Sequence, residues 1–239
     1  MKNILLLGAT GSIGDSALDV ISQNPESLNL YGMAFNSNID KASDIANKFL
    51  PDYAYLENSN YQNKLIEKIN PKTEILSGKD ELHNLLNDPL VDVIISAISG
   101  FSGLETTLMA AKTGKTILLA NKESIVVAGD IILPLAKEFN TNVIPIDSEH
   151  NAIFQCLVGE KAKEDVSKII ITASGGPFVN RSLDELGMVT KEQALKHPNW
   201  EMGSKISIDS ATLVNKCLEL IEAKYLFDLN EKFFKLVVH

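Results

Sequence analysis

The sequence predicts an α/β protein in which a doubly wound parallel sheet is followed by a smaller α/β region, and three observations carry the prediction. Short continuous apolar runs such as Ile4 to Leu7 and Val91 to Ile98 have the composition of strands buried on both faces of a parallel sheet. These runs alternate with amphipathic helical patterns along most of the chain. The first run leads straight into Gly8-Ala9-Thr10-Gly11-Ser12-Ile13-Gly14 and then a helical pattern through Ile13, Ala17, Val20 and Ile21. A strand, a glycine-rich turn and a helix N-terminus in that order form a Rossmann-like phosphate cradle, because backbone amides and the helix dipole both face the anion. The spacing is GxxGxxG rather than GxGxxG, and a tight strand-to-helix turn without a ligand would look similar.

With 239 residues, 45% of them hydrophobic and 22% charged, the chain has the make-up of a globular protein with room for one large or two modest domains. A net charge of −9 argues against nucleic acid and anionic membranes as partners, while leaving room for a local basic pocket. The apolar run after Lys2 is too short for a signal peptide and meets Gly8 and Asp15, and no run approaches membrane-spanning length. Cys156 and Cys217 sit in apolar helical patterns without CxxC spacing, which reads as reduced core residues of a cytoplasmic protein.

Taken in order, Leu28 to Phe35 is the second strand, ending at Asn36-Ser37-Asn38. An NAD site usually places an acid there for the ribose hydroxyls; its absence, with polar groups able to meet a 2′-phosphate, favours NADPH. The nearest cation along the chain is Lys41. The alternation continues with a helix over 39–50, a strand Tyr53 to Leu56, a helix over 61–69, a strand Glu74 to Leu76 and a helix over 81–86. The strand Val91 to Ile98, carrying Ala97, runs into the small residues Ser99 to Gly103, which would let a dinucleotide approach the backbone. Thr116 to Leu119 then delivers Asn121, Lys122 and Glu123 to a strand's carboxyl end, where open α/β sheets bind ligands and where a helix cap would also lie.

The strand Asn142 to Ile146 ends at Asp147-Ser148-Glu149-His150. Two carboxylates one residue apart at the end of a buried strand call for a hard divalent cation or a strong hydrogen-bond network. His150 reads as a structural histidine. Domains are expected over residues 1–147 for the dinucleotide and 148–239 for a catalytic region. In the latter, Ala152 to Val158 is helical and the strand Lys168 to Thr172 ends at Ala173-Ser174-Gly175-Gly176-Pro177-Phe178, a phosphate nest or an ordinary Gly-Gly-Pro turn. A short helix within Ser182 to Lys196 leads to His197-Pro198-Asn199-Trp200-Glu201-Met202-Gly203, whose single tryptophan suits a mobile lid or a core anchor. Next comes a helix over 211–227 with Asp209 or Ser210 as its cap. On a helical wheel Val214, Cys217, Leu218, Ile221 and Tyr225 form one side, expected to face a core, and Thr212, Asn215, Lys216 and Glu219 the other. The final apolar strand, Phe233 to His239, leaves either an unpaired edge or an unfinished sheet.

These motifs together resemble the 1-deoxy-D-xylulose 5-phosphate reductoisomerase family, through Gly-Ala-Thr-Gly-Ser-Ile-Gly, Ala-Asn-Lys-Glu-Ser, Asp-Ser-Glu-His, Ala-Ser-Gly-Gly-Pro-Phe, His-Pro-Asn-Trp-Glu-Met-Gly and Asp-Ser-Ala-Thr-Leu-Val-Asn-Lys-Cys-Leu-Glu. The last two are long and specific. The resemblance implies NADPH and Mg2+ or Mn2+ as cofactors, a sugar phosphate substrate and a homodimer. It implies Asp147, Glu149 and Glu219 as metal ligands, with Glu149, Lys122 and His197 as catalytic residues. Ser174, Ser210, Asn215 and Lys216 would hold the substrate phosphate, and Ser148, Lys122 and His197 its carbon chain, under a lid carrying Trp200. The cofactor would meet Thr10, Gly11, Ser12, Ile13, Asn36, Ser37, Asn38, Ala97, Asn121, Glu123, Met202 and Gly203. Two departures stand out: the family's C-terminal helical domain is missing, so that the chain looks truncated, and Asn36-Ser37-Asn38 lacks a cation that relatives often carry. The rivals are a semialdehyde dehydrogenase, which needs a nucleophilic cysteine in a polar setting, and a non-catalytic nucleotide-binding module.

Overall fold

The computed structural model describes residues 1–158, 164–196 and 203–238, which fall into two compact units, Met1–Ile146 and Asp147–His239. Among the described residues no helix is long and apolar enough to cross a membrane.

The first unit is a seven-stranded, wholly parallel sheet: β1 (Lys2–Leu7), β2 (Leu28–Phe35), β3 (Tyr53–Leu56), β4 (Glu74–Leu76), β5 (Val93–Ser96), β6 (Thr116–Leu119) and β7 (Asn142–Pro145). Connecting them are α1 (Ser12–Gln23), α2 (Ile39–Phe49), α3 (Gln62–Ile66), α4 (Lys79–Asn87), α5 (Leu104–Ala110) and α6 (Lys122–Glu138). The order β4-β3-β2-β1-β5-β6-β7 places β1 between β2 and β5, so the winding reverses at β1 and a crevice opens beyond its carboxyl end. The continuous apolar runs are there because both faces are covered: Leu5, Leu6 and Leu7 are fully buried. Leu6 packs with Leu18, Ile21, Met33, Phe35, Ile45 and Leu56 in one core.

The turn after β1 depends on a glycine. Gly8 takes φ +86°, and a Cβ there would meet the Ala97 carbonyl oxygen at 2.5 Å. Both the left-handed backbone and the contact with a neighbouring main chain exclude a side chain. Gly8→Ala is therefore expected to cost roughly 2 kcal/mol or more in urea denaturation, combining strain with a forced backbone shift. α6 contains Pro134 and a kink at Ala128 (φ −143°, ψ 30°), so this long helix is two segments in sequence.

The second unit contains α7 (Ser148–Cys156), β8 (Ile169–Ala173), α8 (Leu183–Leu186), α9 (Lys191–Ala194), α10 (Ser204–Ala211), α11 (Val214–Phe227) and β9 (Phe234–Val238). β8 and β9 pair in parallel, and in β8 Ile169, Ile171 and Ala173 point inward while Ile170 and Thr172 point out. Ile169 and Ile171 join Ile153, Ala223, Phe227, Leu229 and Phe234 in a second core. α8 and α9 are four-residue turns, each opened by a full capping box, Ser182 with Glu185 and Thr190 with Gln193.

Three expectations are corrected here. The single helix over 211–227 is two helices, because Leu213 adopts a left-handed φ of 62° between α10 and α11. Asp209 and Ser210 consequently lie in the last turn of α10, and the N-cap residue of α11 is Leu213. The facing of α11 is the reverse of the apolar-side-in rule: Val214, Cys217, Ile221 and Tyr225 are exposed, while Asn215, Lys216, Glu219 and Glu222 are buried. Ala223 and Phe227 supply the helix's packing into the apolar core, and the polar stripe turns toward other polar groups of the unit. Cys156 and Cys217 are likewise exposed and not core residues.

Candidate functional site

In the first unit, the crevice beyond β1 is a cavity of about 550 Å3 whose lining includes Gly8, Thr10, Gly11, Asn36 and Ala97. Gly11 stands at the N-cap of α1 without a side-chain cap, so the first amides of the helix face outward, the arrangement that receives a diphosphate. Ser12 and Ile13 open that helix and are exposed. Of the three residues after β2, Asn36 lines the cavity, and Asn38 turns its side chain to cap α2 through Lys41 N. Lys41 itself pairs with Asp15 at 2.7 Å.

Another cation at this cavity comes from further along the chain. Lys79, the first residue of α4, lines the cavity and pairs with Glu105 at 2.5 Å, beside Tyr55 and Glu57. No signal near Asn36 could have revealed it, because it is brought there by the fourth strand-helix unit. Asn121 is 1% exposed and its side chain is committed to structure. Its amide donates to the Ile98 and Gly100 carbonyls at 2.6 and 2.9 Å, and its oxygen accepts from Ser124 N. Glu123 accepts from the same amide at 3.3 Å, and Lys122 is buried at the start of α6.

The second unit gathers the charged groups. Asp147 is the N-cap residue of α7, Glu149 lies in its first turn, and Glu219 lies on the buried stripe of α11. Carboxylate oxygens of these three residues all lie within 4.8 Å of one another. Lys216 sits among them: its ammonium pairs with Glu149 and, at 2.7 Å, with Glu219, while Asn215 donates to Glu219 at 2.5 Å. Ser148 donates to Glu149 at 2.6 Å. Burial opposes ionisation of Glu149, but the bonds to Asp147, Lys216 and Ser148 outweigh it and hold its pKa at about 2. Three oxygen donors in one partly buried cluster fit a hard divalent cation such as Mg2+ or Mn2+ better than a thiophilic metal.

Next to this cluster Ser174, Ser210, Asn215 and Lys216 line one small hollow with Gly175 and Gly176. Gly176, at φ +70°, is held so close that a Cβ would run into the Ser210 backbone carbonyl. The Gly-Gly pair thus brings the end of β8 against α10, which is how residues from three elements meet around one space. His197, Trp200 and Met202 lie outside the described residues, and Gly203 is the N-cap residue of α10.

Two further titratable residues adjoin the cluster. His150, read from the sequence as structural, is fully buried, and Glu222, 1% exposed, is one helical turn beyond Glu219 on α11.

The family model described as 1-deoxy-D-xylulose 5-phosphate reductoisomerase matches residues 4–129, and the model of that enzyme's C-terminal domain matches residues 143–227. The 1-deoxy-D-xylulose 5-phosphate reductoisomerase of Clostridium tetani is 49% identical over all of this chain and 63% of its own length. That of Vesicomyosocius okutanii is 45% identical over all of this chain and 62% of its own. A crystal structure of DOX-P reductoisomerase in complex with NADPH, fosmidomycin and magnesium superposes with a TM-score of 0.94 at 42% identity, over all of this chain and 61% of the other. The Zymomonas mobilis enzyme in complex with NADPH gives 0.89 at 42% identity, over 99% of this chain and 61% of the other. The chain therefore spans somewhat under two thirds of the relatives it matches. On these matches and on its parallel sheet, the chain belongs to the 1-deoxy-D-xylulose 5-phosphate reductoisomerase family.

Proposed function

We propose that this chain serves the NADPH- and divalent-metal-dependent rearrangement and reduction of 1-deoxy-D-xylulose 5-phosphate to 2-C-methyl-D-erythritol 4-phosphate. The observation that carries the reading is the meeting of Asp147, Glu149 and Glu219 with a hollow lined by Ser174, Ser210, Asn215 and Lys216. A semialdehyde dehydrogenase would need a cysteine at such a place, and neither Cys156 nor Cys217 lines this hollow.

In this reading the two hydroxyls, the Asn215 amide and the Lys216 ammonium hold the substrate phosphate, whose burial contributes binding energy remote from the reacting carbons. Asp147, Glu149 and Glu219 hold the ion. When bound, a divalent cation supplies Lewis-acid stabilisation to the oxygens of a ketone and its neighbouring hydroxyl. Ser148, Lys122 and His197 line the carbon chain, and Trp200 belongs to a lid that excludes water. In the first unit Thr10 and Gly11 offer amides to the diphosphate of NADPH, with Asn36 toward its 2′-phosphate; Met202 adjoins the nicotinamide. A homodimer in the cytoplasm belongs to the same reading and rests on the resemblance.

The test is NADPH oxidation on addition of 1-deoxy-D-xylulose 5-phosphate, read first with Mg2+ and then with excess chelator. Turnover that stops on chelation is expected. Turnover indifferent to the chelator would sink the proposal, as would silence from a protein that binds both NADPH and Mg2+.

A further inference from the structure

The three carboxylates come from two helices, α7 and α11, and a divalent ion tolerates little error in the distance between them. The side chain that spans the gap is His150. It follows Glu149 directly on α7, is 0% exposed, and its Nε2 lies 2.9 Å from the backbone carbonyl of Glu219 on α11. A carbonyl accepts and never donates, so Nε2 carries the hydrogen and the ring is fixed in orientation. On its other side Nδ1 faces Glu222 Oε2 at 3.3 Å, and the ring stacks on Phe227 at 6.4 Å between centroids and 19° between planes.

Both Glu222 and Phe227 stand on α11, so His150 is hydrogen-bonded to that helix through Nε2 and touches it at two further points while rooted beside Glu149. Glu222 is within ion-pair distance of Nδ1 but with no hydrogen bond between the two, and Phe227 stacks on the ring. A carboxylate at Glu222, 1% exposed, is costly to bury for packing alone. Lys216 also bridges Glu149 and Glu219, but through a side chain that the proposed phosphate site recruits. We propose that Glu222, acting through His150, is a positioning residue for the metal site: the pair locks α7 to α11 at the level of Glu219 and sets the spacing of the three carboxylates. This rests on the metal-site reading above. Second-sphere partners of this kind change metal affinity by roughly tenfold to a hundredfold.

The experiment is Mn2+ titration of the chain followed by electron paramagnetic resonance, well below the melting midpoint of each variant. Glu222→Met, which keeps length and packing but removes the polar partner, is expected to weaken Mn2+ about tenfold. Glu222→Gln, which keeps a polar group at the same reach and can donate to Nδ1, should recover most of that loss. His150→Gln, whose amide stands where Nε2 stands, should bind more tightly than His150→Ala.

A Glu222→Met protein that melts earlier but binds Mn2+ as the wild type does would show a merely structural residue and overturn the proposal. So would equal affinities for His150→Gln and His150→Ala. Because Asp147, His150 and Glu222 also offer atoms within 4.8 Å of one another, nitrogen coupling to Mn2+ in the wild type would make His150 a ligand and overturn it too. Asp147→Ala separates the two levels of argument. If it binds as the wild type does, the metal site itself is wrong; if it is weakened and Glu222→Met is not, the positioning role alone falls.

Discussion

Glu219→Gln is expected to weaken Mg2+ or Mn2+ binding by roughly a hundredfold, since an ion–carboxylate attraction of about 3 kcal/mol in a partly screened site is lost. Glu219 is the buried member of the cluster, 1% exposed, whereas the side chain of Glu149 is 25% exposed. Its contribution is therefore the least screened by water. The exchange is nearly isosteric and leaves the Glu219 carbonyl for His150 and one side-chain oxygen for Asn215. Calorimetric titration on folded protein separates lost affinity from lost fold. An affinity within threefold of the wild type would remove Glu219 from the ligand set.

Lys216→Met should act in the opposite sense. Without a metal ion the Lys216 ammonium is the cation that compensates Glu149 and Glu219. Its removal leaves two carboxylates facing each other in a buried site, and breaking a buried ion pair from one side costs about 3 kcal/mol or more. Urea denaturation without metal should show that loss. Saturating Mg2+ should restore most of it, because the ion takes over the same charge balance and stabilises the folded state by mass action. A loss that is the same with and without Mg2+ would mean that Lys216 contributes packing and not charge.

Much of the first unit was legible because its strands are apolar runs bounded by turn residues. Tyr53–Leu56, Glu74–Leu76 and Thr116–Leu119 are the strands the sequence predicts, and the parallel, doubly wound class follows from their alternation with helices. α11 was misread for a physical reason. Its burial is set by charged groups that neutralise one another, so hydropathy points the wrong way: Val214 is 43% exposed and Lys216 8%. The break at Leu213 was invisible for a related reason, since leucine seldom takes a left-handed φ and nothing local announces it. The hollow around Ser174 and Ser210 was legible as residue types, but their meeting depends on the backbone approach that Gly176 permits. Lys79 reaches the cavity beyond β1 through topology alone.

Lys216 and Asn215 each serve two places at once, the three-carboxylate cluster and the hollow beside it. A cation occupying the carboxylates would compete with both side chains and turn them loose toward an anion. In the language of linkage, metal and phosphate would then share a coupling free energy: each would raise the affinity for the other by the same factor, whichever arrived first. Inorganic phosphate should bind the metal-loaded protein more tightly than the metal-free one. Mg2+ should bind more tightly in phosphate than in a buffer without it, so the two titrations together close a thermodynamic cycle around a single ammonium group.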